Sequence, residues 1–579
     1  MFKATQRHPK TLTLTNPDEW PDEEKYVAVS YTWYPSEHDS VSAGAYTIQN
    51  YNGRKEHPIR DSVLHRSTRY CLAHGAELIW IDAVCVNQDS PLDVSYGLNA
   101  MDTVYRRSFK PLALLYTQIT TQREMGLLHR FLNNDFIQFT SSDTRPRFKW
   151  WVTSTDVSNV ETLLSKITSD RWWSRAWTYQ EEYRSSGKMC LLIPCSESLI
   201  RYHELGNIPG ELEVSSRKFR EAVTRFFLAC VDSPYHLDEA ILNKATQYNM
   251  ISRFDHGYSH ALLASKGMTS LIFRDVGERD LTVCADMLSI IGNCCSYSVR
   301  LNTDLMEKEG IKSLRACILA FFFLNGELYC VEDQSLDNNI PRHPEAIPQN
   351  VYKYISDISM SGISPPVEEK ELTFLKSCRL RDVRLSLDGI QTAGWLWQLG
   401  KRIDPTNRDY IRSTKYKPHG YRSKNRYAYK DKDEPIWKGR LDQLVRYLKA
   451  HGYISMASSV ASFLSLKYYQ NSFYYQYLAA KDLGLHLHKG GQVQLGAICG
   501  RNSYAAIFIC PDLKERDQPH YAFTSWDGSD TQQQKYVSLA VEPNLTDSDC
   551  LMFEPLGWMN GLWFSQSKRP VSVTFPWPF

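Results

Sequence analysis

Two apolar runs near the start of the chain constrain its fold more than any other feature. Tyr26–Trp33 (YVAVSYTW) and Glu77–Val86 (ELIWIDAVCV) are rich in β-branched and aromatic residues, which is typical of buried strands. The stretch Arg60–His74 between them carries helix formers and stops at Gly75, which predicts a helix. The order strand, helix, strand favours an α/β domain.

Further strands and helices follow in alternation. Leu112–Tyr116 and Met189–Ile193 resemble buried strands, and Leu92–Arg107 and Val160–Glu182 contain helical patterns. Such alternation predicts a mostly parallel sheet with helices on both faces, similar to a flavodoxin-like fold.

Length and pattern predict several domains. A chain of 579 residues is too long for one core. We expect an α/β domain at 1–203 and a mainly helical region at 204–489, with a basic surface excursion at 401–440. Short runs of period two predict a small β-rich module at 490–579. The predicted strands of this module are Val493–Ile498, Tyr504–Cys510, Tyr521–Thr524, Tyr536–Val541 and Val571–Phe575.

Composition narrows the class of protein. The 67 Lys and Arg residues nearly balance 65 Asp and Glu residues, which argues against a globally electrostatic binder of nucleic acid or membrane. The first residues lack the apolar core of a secretory signal. The longest apolar run, Ala316–Leu324, is far short of the roughly 20 residues that span a bilayer. We therefore expect a cytoplasmic protein without a membrane span.

The 14 cysteines form no CxxC pair, so we expect reduced, mostly buried thiols and no metal site.

Polar and aromatic residues end the first two predicted strands. In parallel sheets, ligands bind at the carboxyl ends of the strands. The candidate binding residues there are Ser30, Tyr31, Trp33, Asp82, Cys85 and Gln88. Each also has a structural explanation, because Asp82 could cap a turn, Cys85 could be a small core residue and Trp33 could fill the domain edge.

The segment Arg171–Glu182 (RWWSRAWTYQEE) contains three Trp, two Arg and two Glu residues. We expect one helix, capped by Ser169 or Asp170. On such a helix Trp173, Trp177 and Glu181 would share a face, since they are spaced by four. The simpler interpretation is a core helix with solvated charges.

Two arginines have the same spacing in this segment. Arg171 and Arg175 would lie one turn apart, where they could pair with Asp82 or hold a phosphate.

Four blocks of this chain together resemble a known family. They are Tyr26–Trp33 (YVAVSYTW), Ile79–Gln88 (IWIDAVCVNQ), Met101–Tyr105 (MDTVY) and Arg171–Glu181 (RWWSRAWTYQE). In order and separation they are similar to the signature blocks of the heterokaryon incompatibility (HET) domain of filamentous fungi. The chain departs from the family pattern at Tyr34, where Gly is common, and at Val86, where Ile is common.

The resemblance implies a role in fungal non-self recognition and in programmed death of fused cells. It also implies a possible chemistry, because HET domains are distantly similar to TIR domains, some of which cleave NAD with a glutamate four residues after a Trp. Trp177 and Glu181 have this spacing, and the indole of Trp177 could bind the substrate by stacking on a base. The resemblance thus implies that Glu181 is catalytic, with NAD as a substrate rather than a bound cofactor. Adjacent side chains leave a helix about 100° apart, so we expect Glu182 to be solvated or to dock the helix.

Two other functions stay open. The domain could signal without catalysis, by self-association or by binding protein partners. The stretch 401–440 has 13 Lys or Arg residues against five Asp or Glu, with aromatic residues interleaved, which could bind nucleic acid. A charged surface excursion is the more common explanation, so we do not expect nucleic-acid binding.

Overall fold

The computed structural model of the protein describes residues 2–4, 11–15, 25–35, 39, 44–50, 53–55, 57, 59–140, 143–231, 233, 272, 275–310, 314–327, 379–413, 433–465, 474–501, 503–510, 519–526, 537–544, 551–564 and 570–576. The chain divides into two compact units, residues 1–300 and 301–579. None of the helices in these ranges combines the length and apolarity that a bilayer-spanning segment needs.

The first unit alternates strands and helices. Its strands are β1 (Phe2–Ala4), β2 (Thr11–Leu14), β3 (Tyr26–Ser30), β4 (Thr47–Asn50), β5 (Gly53–Lys55), β6 (Leu78–Trp80), β7 (Leu112–Leu114), β8 (Ile137–Thr140), β9 (Asp143–Phe148), β10 (Cys190–Pro194) and β11 (Glu211–Ser215). Its helices are α1 (Asp61–Ala73), α2 (Asp82–Cys85), α3 (Pro91–Arg107), α4 (Gln122–Leu132), α5 (Ser154–Thr168), α6 (Ala176–Arg184), α7 (Ser216–Val231) and α8 (Asp286–Cys295). Short 3₁₀ turns lie at Arg171–Ser174 and His203–Leu205.

Nine of these strands form one mixed sheet, in the order β11-β10-β7-β3-β6-β1-β2-β4-β5. The four central strands β10, β7, β3 and β6 are parallel neighbours. Antiparallel pairs join β11 to β10, β1 to β6, β2 to β1 and β5 to β4. Strands β2 and β4 pair parallel. The prediction of a mostly parallel sheet is therefore right for the centre, whereas the edges combine parallel and antiparallel pairs of short strands.

The central strands are buried on both faces, because successive side chains point to opposite sides of a sheet. On β3, Ala28 belongs to one core cluster and its neighbours Val27 and Val29 to another. Helices α4 and α5 cover the first cluster, with Leu128 and Leu164 among the residues they contribute. Helix α1 covers the second. The prediction of helices on both faces is confirmed.

The second unit combines helices with a second sheet. Its helices are α9 (Thr303–Lys308), α10 (Leu314–Leu324), α11 (Arg408–Ser413), α12 (Glu434–Ala450), α13 (Ile454–Phe463) and α14 (Tyr474–His488). Its strands are β12 (Arg381–Leu385), β13 (Gly389–Ile403), β14 (Val493–Ile498), β15 (Tyr504–Ile509), β16 (Tyr521–Thr524), β17 (Ser538–Pro543), β18 (Phe553–Trp558), β19 (Gly561–Trp563) and β20 (Val571–Pro576).

Strand β13 is the centre of the second sheet. It pairs antiparallel with β14, β16, β12 and β20 along its 15 residues. The predicted strands after residue 490 are present, but β13 lies in the range 204–489, which we expected to be mainly helical. Strand β11 and helix α7 also follow residue 203 and belong to the first unit. Of the basic excursion at 401–440, residues 414–432 lie outside the described residues.

Candidate functional site

The segment 171–184 is not one helix. A 3₁₀ turn covers Arg171–Ser174, and α6 starts at Ala176, because Arg175 has extended backbone angles, φ −81° and ψ 138°. The upstream turn is fixed by Asp170, whose carboxylate accepts hydrogen bonds from the backbone N–H groups of Trp172 at 3.0 Å and Tyr116 at 2.6 Å. The predicted single helix is wrong, so Trp173 does not share a helical face with Trp177 and Glu181.

Glu181 lies on α6 and is buried at the end of β3. Its side chain is 6% exposed and accepts a hydrogen bond from the hydroxyl of Ser30, the last residue of β3. The indole Nε1–H of Trp172 donates to the same Ser30 oxygen at 2.7 Å. Because an indole can only donate, Ser30 accepts from Trp172 and keeps its own proton for Glu181. Ser30 is thus held in one orientation between the two side chains.

The surroundings of Glu181 favour its neutral form. Burial raises the pKa of Glu181 from 4.5 to about 8, and nearby Asp82 adds to this rise. The hydrogen bond from Ser30, the guanidinium of Arg175 and the nearby Tyr105 hydroxyl lower it, but less. Glu181 therefore holds a proton at neutral pH when no ligand is near.

Asp82 supplies a second carboxyl group. It begins α2 directly after β6 and accepts hydrogen bonds from Trp33 Nε1 at 2.8 Å and from the backbone N–H of Ala83 at 2.7 Å. Burial raises the pKa of Asp82, against the effects of these hydrogen bonds and of Arg175. The hydrogen bond from Ala83 shows that Asp82 also caps the turn that begins α2, which is the structural role considered for it in the sequence analysis.

Arg175 supplies a positive charge near the two carboxyl groups, Glu181 and Asp82, and these three residues are called the Glu181 group below. The Arg175 guanidinium donates to the Tyr31 carbonyl at 3.4 Å and favours the ionised forms of both Asp82 and Glu181. Arg171 lies elsewhere: it is exposed and stacks on the Tyr34 ring at 5.6 Å. Of the two predicted arginines, only Arg175 joins the carboxyl groups.

The other predicted residues divide into two sets. Tyr31 and Trp33 lie beside the Glu181 group, since both contact the Asp82 carboxyl, and the Trp33 side chain is 46% exposed. Cys85 packs between the two cores, and burial raises the pKa of its thiol. Gln88 is exposed and donates to the Asp82 backbone carbonyl at 3.2 Å. Cys85 and Gln88 therefore support the α2 turn rather than face the carboxyl pair.

Trp177 points to a different partner. Its indole Nε1–H donates to the carboxylate of Asp286, at the start of α8, at 3.0 Å. In these contacts Trp177 is an anchor for α8, and no contact between it and the Ser30 or Asp82 side chain is seen among the described residues.

Two members of the site were missed in the sequence. Trp172 fixes Ser30, and the Tyr105 hydroxyl donates to the Val29 carbonyl at 3.0 Å beside Glu181. Both lie in quoted blocks, Arg171–Glu181 and Met101–Tyr105, but helical spacing directed attention to Trp177 instead. A 3₁₀ turn was needed to turn Trp172 toward β3.

Residues 275–295 form hydrogen bonds that fix the position of α6. The backbone N–H of Ala176 donates to the Asp280 carbonyl at 3.2 Å, and the Asp280 N–H donates to the Ser174 carbonyl at 2.8 Å. Deeper along α6, the Asn293 side-chain amide donates to Gln180 Oε1 at 3.1 Å and to the Leu98 carbonyl at 2.6 Å. The position of Glu181 therefore depends on residues about 100 positions downstream.

The chemistry of the site follows from its charges. The guanidinium of Arg175 favours the ionised forms of two carboxyl groups, those of Glu181 and Asp82. When both carboxyls are ionised the group carries one net negative charge. An incoming cation would favour that ionised state, so the site suits a ligand with a positively charged part.

Comparison with known proteins identifies the segment that carries this site. Residues 26–181 match the family model described as "Heterokaryon incompatibility protein (HET)". The match begins at the first residue of β3 and ends at Glu181. No curated protein matches the chain. No solved structure matches it either.

Proposed function

From the premise that residues 26–181 are a heterokaryon incompatibility (HET) domain, we propose that this protein acts in fungal non-self recognition and triggers programmed cell death by cleaving NAD. The observation that carries the enzymatic part is the pair of carboxyl groups, Glu181 and Asp82, beside Arg175 at the carboxyl ends of β3 and β6. The proposal includes a TIR-like arrangement of the parallel strands around this site, with the substrate at their carboxyl ends.

The proposed reaction breaks the glycosidic bond of NAD. The bond between ribose C1′ and the pyridinium nitrogen breaks, and both electrons go to the nitrogen, which leaves as neutral nicotinamide. Water adds to C1′ and releases one proton, so NAD⁺ and water give ADP-ribose, nicotinamide and H⁺. Positive charge develops on the ribose in the transition state, as in glycoside hydrolysis.

Glu181 would oppose that charge. In the empty site it is neutral, because its pKa is about 8. The pyridinium of NAD⁺ is a cation, and a cation close to a buried carboxyl favours its ionised form. Substrate binding would thus generate the carboxylate that stabilises the ribosyl cation, while Ser30 and Trp172 keep it oriented.

The experiment is to incubate the purified full chain with NAD and quantify free nicotinamide. Glu181→Gln keeps the size of the side chain but removes the charge, and should lower the rate by at least about 100-fold. The matched control is Glu221→Gln, which removes an equal charge from surface pairs with Arg217 and Arg225 on α7. Loss of activity in both variants would point to a cause other than Glu181 chemistry.

The burial of Glu181 also favours a second candidate function. A carboxyl that is 6% exposed and bonded to Ser30 could serve only to fix α6 against β3. The domain would then signal by self-association or by binding a protein partner. In that case Glu181→Gln folds, leaves cell killing at the normal rate, and no nicotinamide is released by the wild-type protein.

A further inference from the structure

A cavity of about 620 Å³ lies in the first unit, apart from the Glu181 group. Its walls come from the end of α1, the last residue of α4, the 203–209 loop, β11 and the start of α7. The apolar part of the lining consists of Leu72, Ala73, Leu132, Leu205, Ile208 and Val214. None of the lining residues belongs to the group around Glu181, so the inference below is independent of the proposed NAD cleavage.

Two lining residues, His74 and Glu213, belong to a hydrogen-bonded chain of three side chains that starts at Lys110. Lys110 Nζ lies 2.9 Å from His74 Nδ1, and His74 Nε2 lies 2.6 Å from Glu213 Oε2. An ammonium group can only donate, so His74 accepts at Nδ1 and donates from Nε2 to Glu213. The charge of Glu213 is thereby balanced by Lys110 through the imidazole.

The loop at 203–209 passes close to the same side chain. Gly206 has φ +85°, and a Cβ built on it would lie 2.3 Å from Glu213 Oε1. The positive φ and this close approach favour glycine at position 206.

The cavity also has cationic groups without a carboxylate partner. Its two acids, Glu213 and Glu204, lie beside His74 and His129. In contrast, Arg69 binds the Pro209 carbonyl at 2.6 Å and Lys218 binds Asn133 Oδ1 at 2.8 Å, and neither pairs with an acid among the described residues.

Helix α7 adds to this potential. Ser215, which directly precedes α7, and Lys218, in its first turn, line the cavity, and the first turn of a helix carries partial positive charge. Positive groups thus lie beside a mostly apolar hollow of a size usual for small-molecule sites.

We propose that this cavity binds a small amphipathic anion, with its phosphate or carboxylate at Arg69 and Lys218 and its apolar part against Leu72 and Ala73 at the end of α1. The guanidinium of Arg69 and the ammonium of Lys218 supply charge-assisted hydrogen bonds to the anionic head. Burial of the apolar part supplies the remaining affinity.

Calorimetric titration of the full chain tests this proposal with four probes: hexyl phosphate, hexanoate, 1-hexanol and inorganic phosphate. We expect saturable binding of hexyl phosphate or hexanoate, and the tighter of the two identifies the head group. Hexanol and inorganic phosphate, each lacking one half of the chemistry, should bind at least about tenfold more weakly. Hexanol as tight as both anions, or no saturable binding of either anion, would overturn the proposal.

Variants then locate the site. Arg69→Gln and Lys218→Gln should each weaken binding of the better anion by about tenfold, whereas Arg123→Gln, an exposed arginine bonded to Asn159, should leave it unchanged. Since Lys218 is exposed, its variant should fold even if Arg69→Gln does not. Bound anion should also slow hydrogen exchange in the 203–209 loop. Equal affinity in Lys218→Gln and wild type would show that the anion binds elsewhere.

Discussion

Glu181 and Glu182 are adjacent in sequence, yet their carboxyl groups have opposite environments. Glu181 meets Ser30 on β3, and burial raises its pKa to about 8. Glu182 forms an ion pair with Arg220 on α7 and accepts a hydrogen bond from the Ser216 hydroxyl. Burial alone would raise the pKa of Glu182, but these two contacts hold it below its ordinary value. One helix turn thus carries a carboxyl that stays neutral and a carboxylate that stays charged.

The raised pKa of Glu181 makes the stability of the fold pH-dependent. Between the ordinary value of 4.5 and about 8, folded Glu181 keeps a proton that the unfolded chain has released. Its contribution to stability is complete below pH 4.5 and is lost as pH rises to 8, at about 1 kcal/mol per pH unit. Glu181→Gln has no proton to lose at this position. Urea unfolding at several pH values should therefore show that the free energy of unfolding of the variant increases relative to that of wild type as pH rises.

Glu221→Gln is the control for that measurement, because its carboxylate is at the surface of α7. Parallel stability curves for wild type and Glu181→Gln between pH 5 and 8 would mean that the pKa of Glu181 is not raised.

Glu182→Gln should destabilise the first unit by about 3 kcal/mol, because it removes the carboxylate that pairs with the partly buried guanidinium of Arg220. This replaces the expectation that Glu182 is solvated, while its helix-docking role is retained. Replacing both partners, Glu182→Leu with Arg220→Met, should cost less than the sum of the single changes. Additive losses in thermal unfolding would rule out direct coupling.

Trp172→Phe tests the orientation of Ser30. It keeps an aromatic ring in the core but removes the N–H donor to Ser30, so we expect about 1 kcal/mol less stability and about tenfold less NAD cleavage. Trp173→Phe is the matched control, since the buried Trp173 Nε1–H donates at 3.1 Å only to the Ile167 carbonyl. Similar melting temperatures with unequal cleavage rates are expected; equal rates would remove Trp172 from the site.

Arg175 and Arg171 should differ in their effects on the pH profile. Arg175 favours the ionised forms of Glu181 and Asp82, so Arg175→Gln should raise both pKa values. The rise of kcat/KM with pH, which reports ionisation of the free enzyme, should then move to higher pH. Arg171→Gln, at the exposed contact with Tyr34, should leave the profile in place. A shift in both variants or in neither contradicts the assignment.

Much of the fold could be predicted from the sequence because buried strands have a local signature. Tyr26–Trp33 and Leu112–Tyr116 contain β3 and β7, and the helix predicted at 60–74 is α1. The edges of the first sheet could not be predicted, since β1 and β2 have three and four residues and no apolar run. Strand β13 was missed because its pairing is settled by partners that are distant in sequence.

The site was predicted in part for a similar reason. Ser30, Asp82 and Glu181 follow from the rule that ligand sites lie at strand ends and from the family blocks. The break at Arg175 does not follow, because its extended backbone is stabilised by Asp280 from a distant segment. Helical periodicity therefore assigned Trp177 to the site and overlooked Trp172.

The end of the family match at Glu181 has a practical meaning for dissecting the protein. A fragment that stops there would cut α6 in its middle and remove β10, an inner strand of the sheet, together with the Asp280 and Asn293 contacts. Such a fragment would expose the apolar edge of β7 and should aggregate. The compact unit is longer than the segment that matches the family model, and limited proteolysis should release it with a boundary near residue 300.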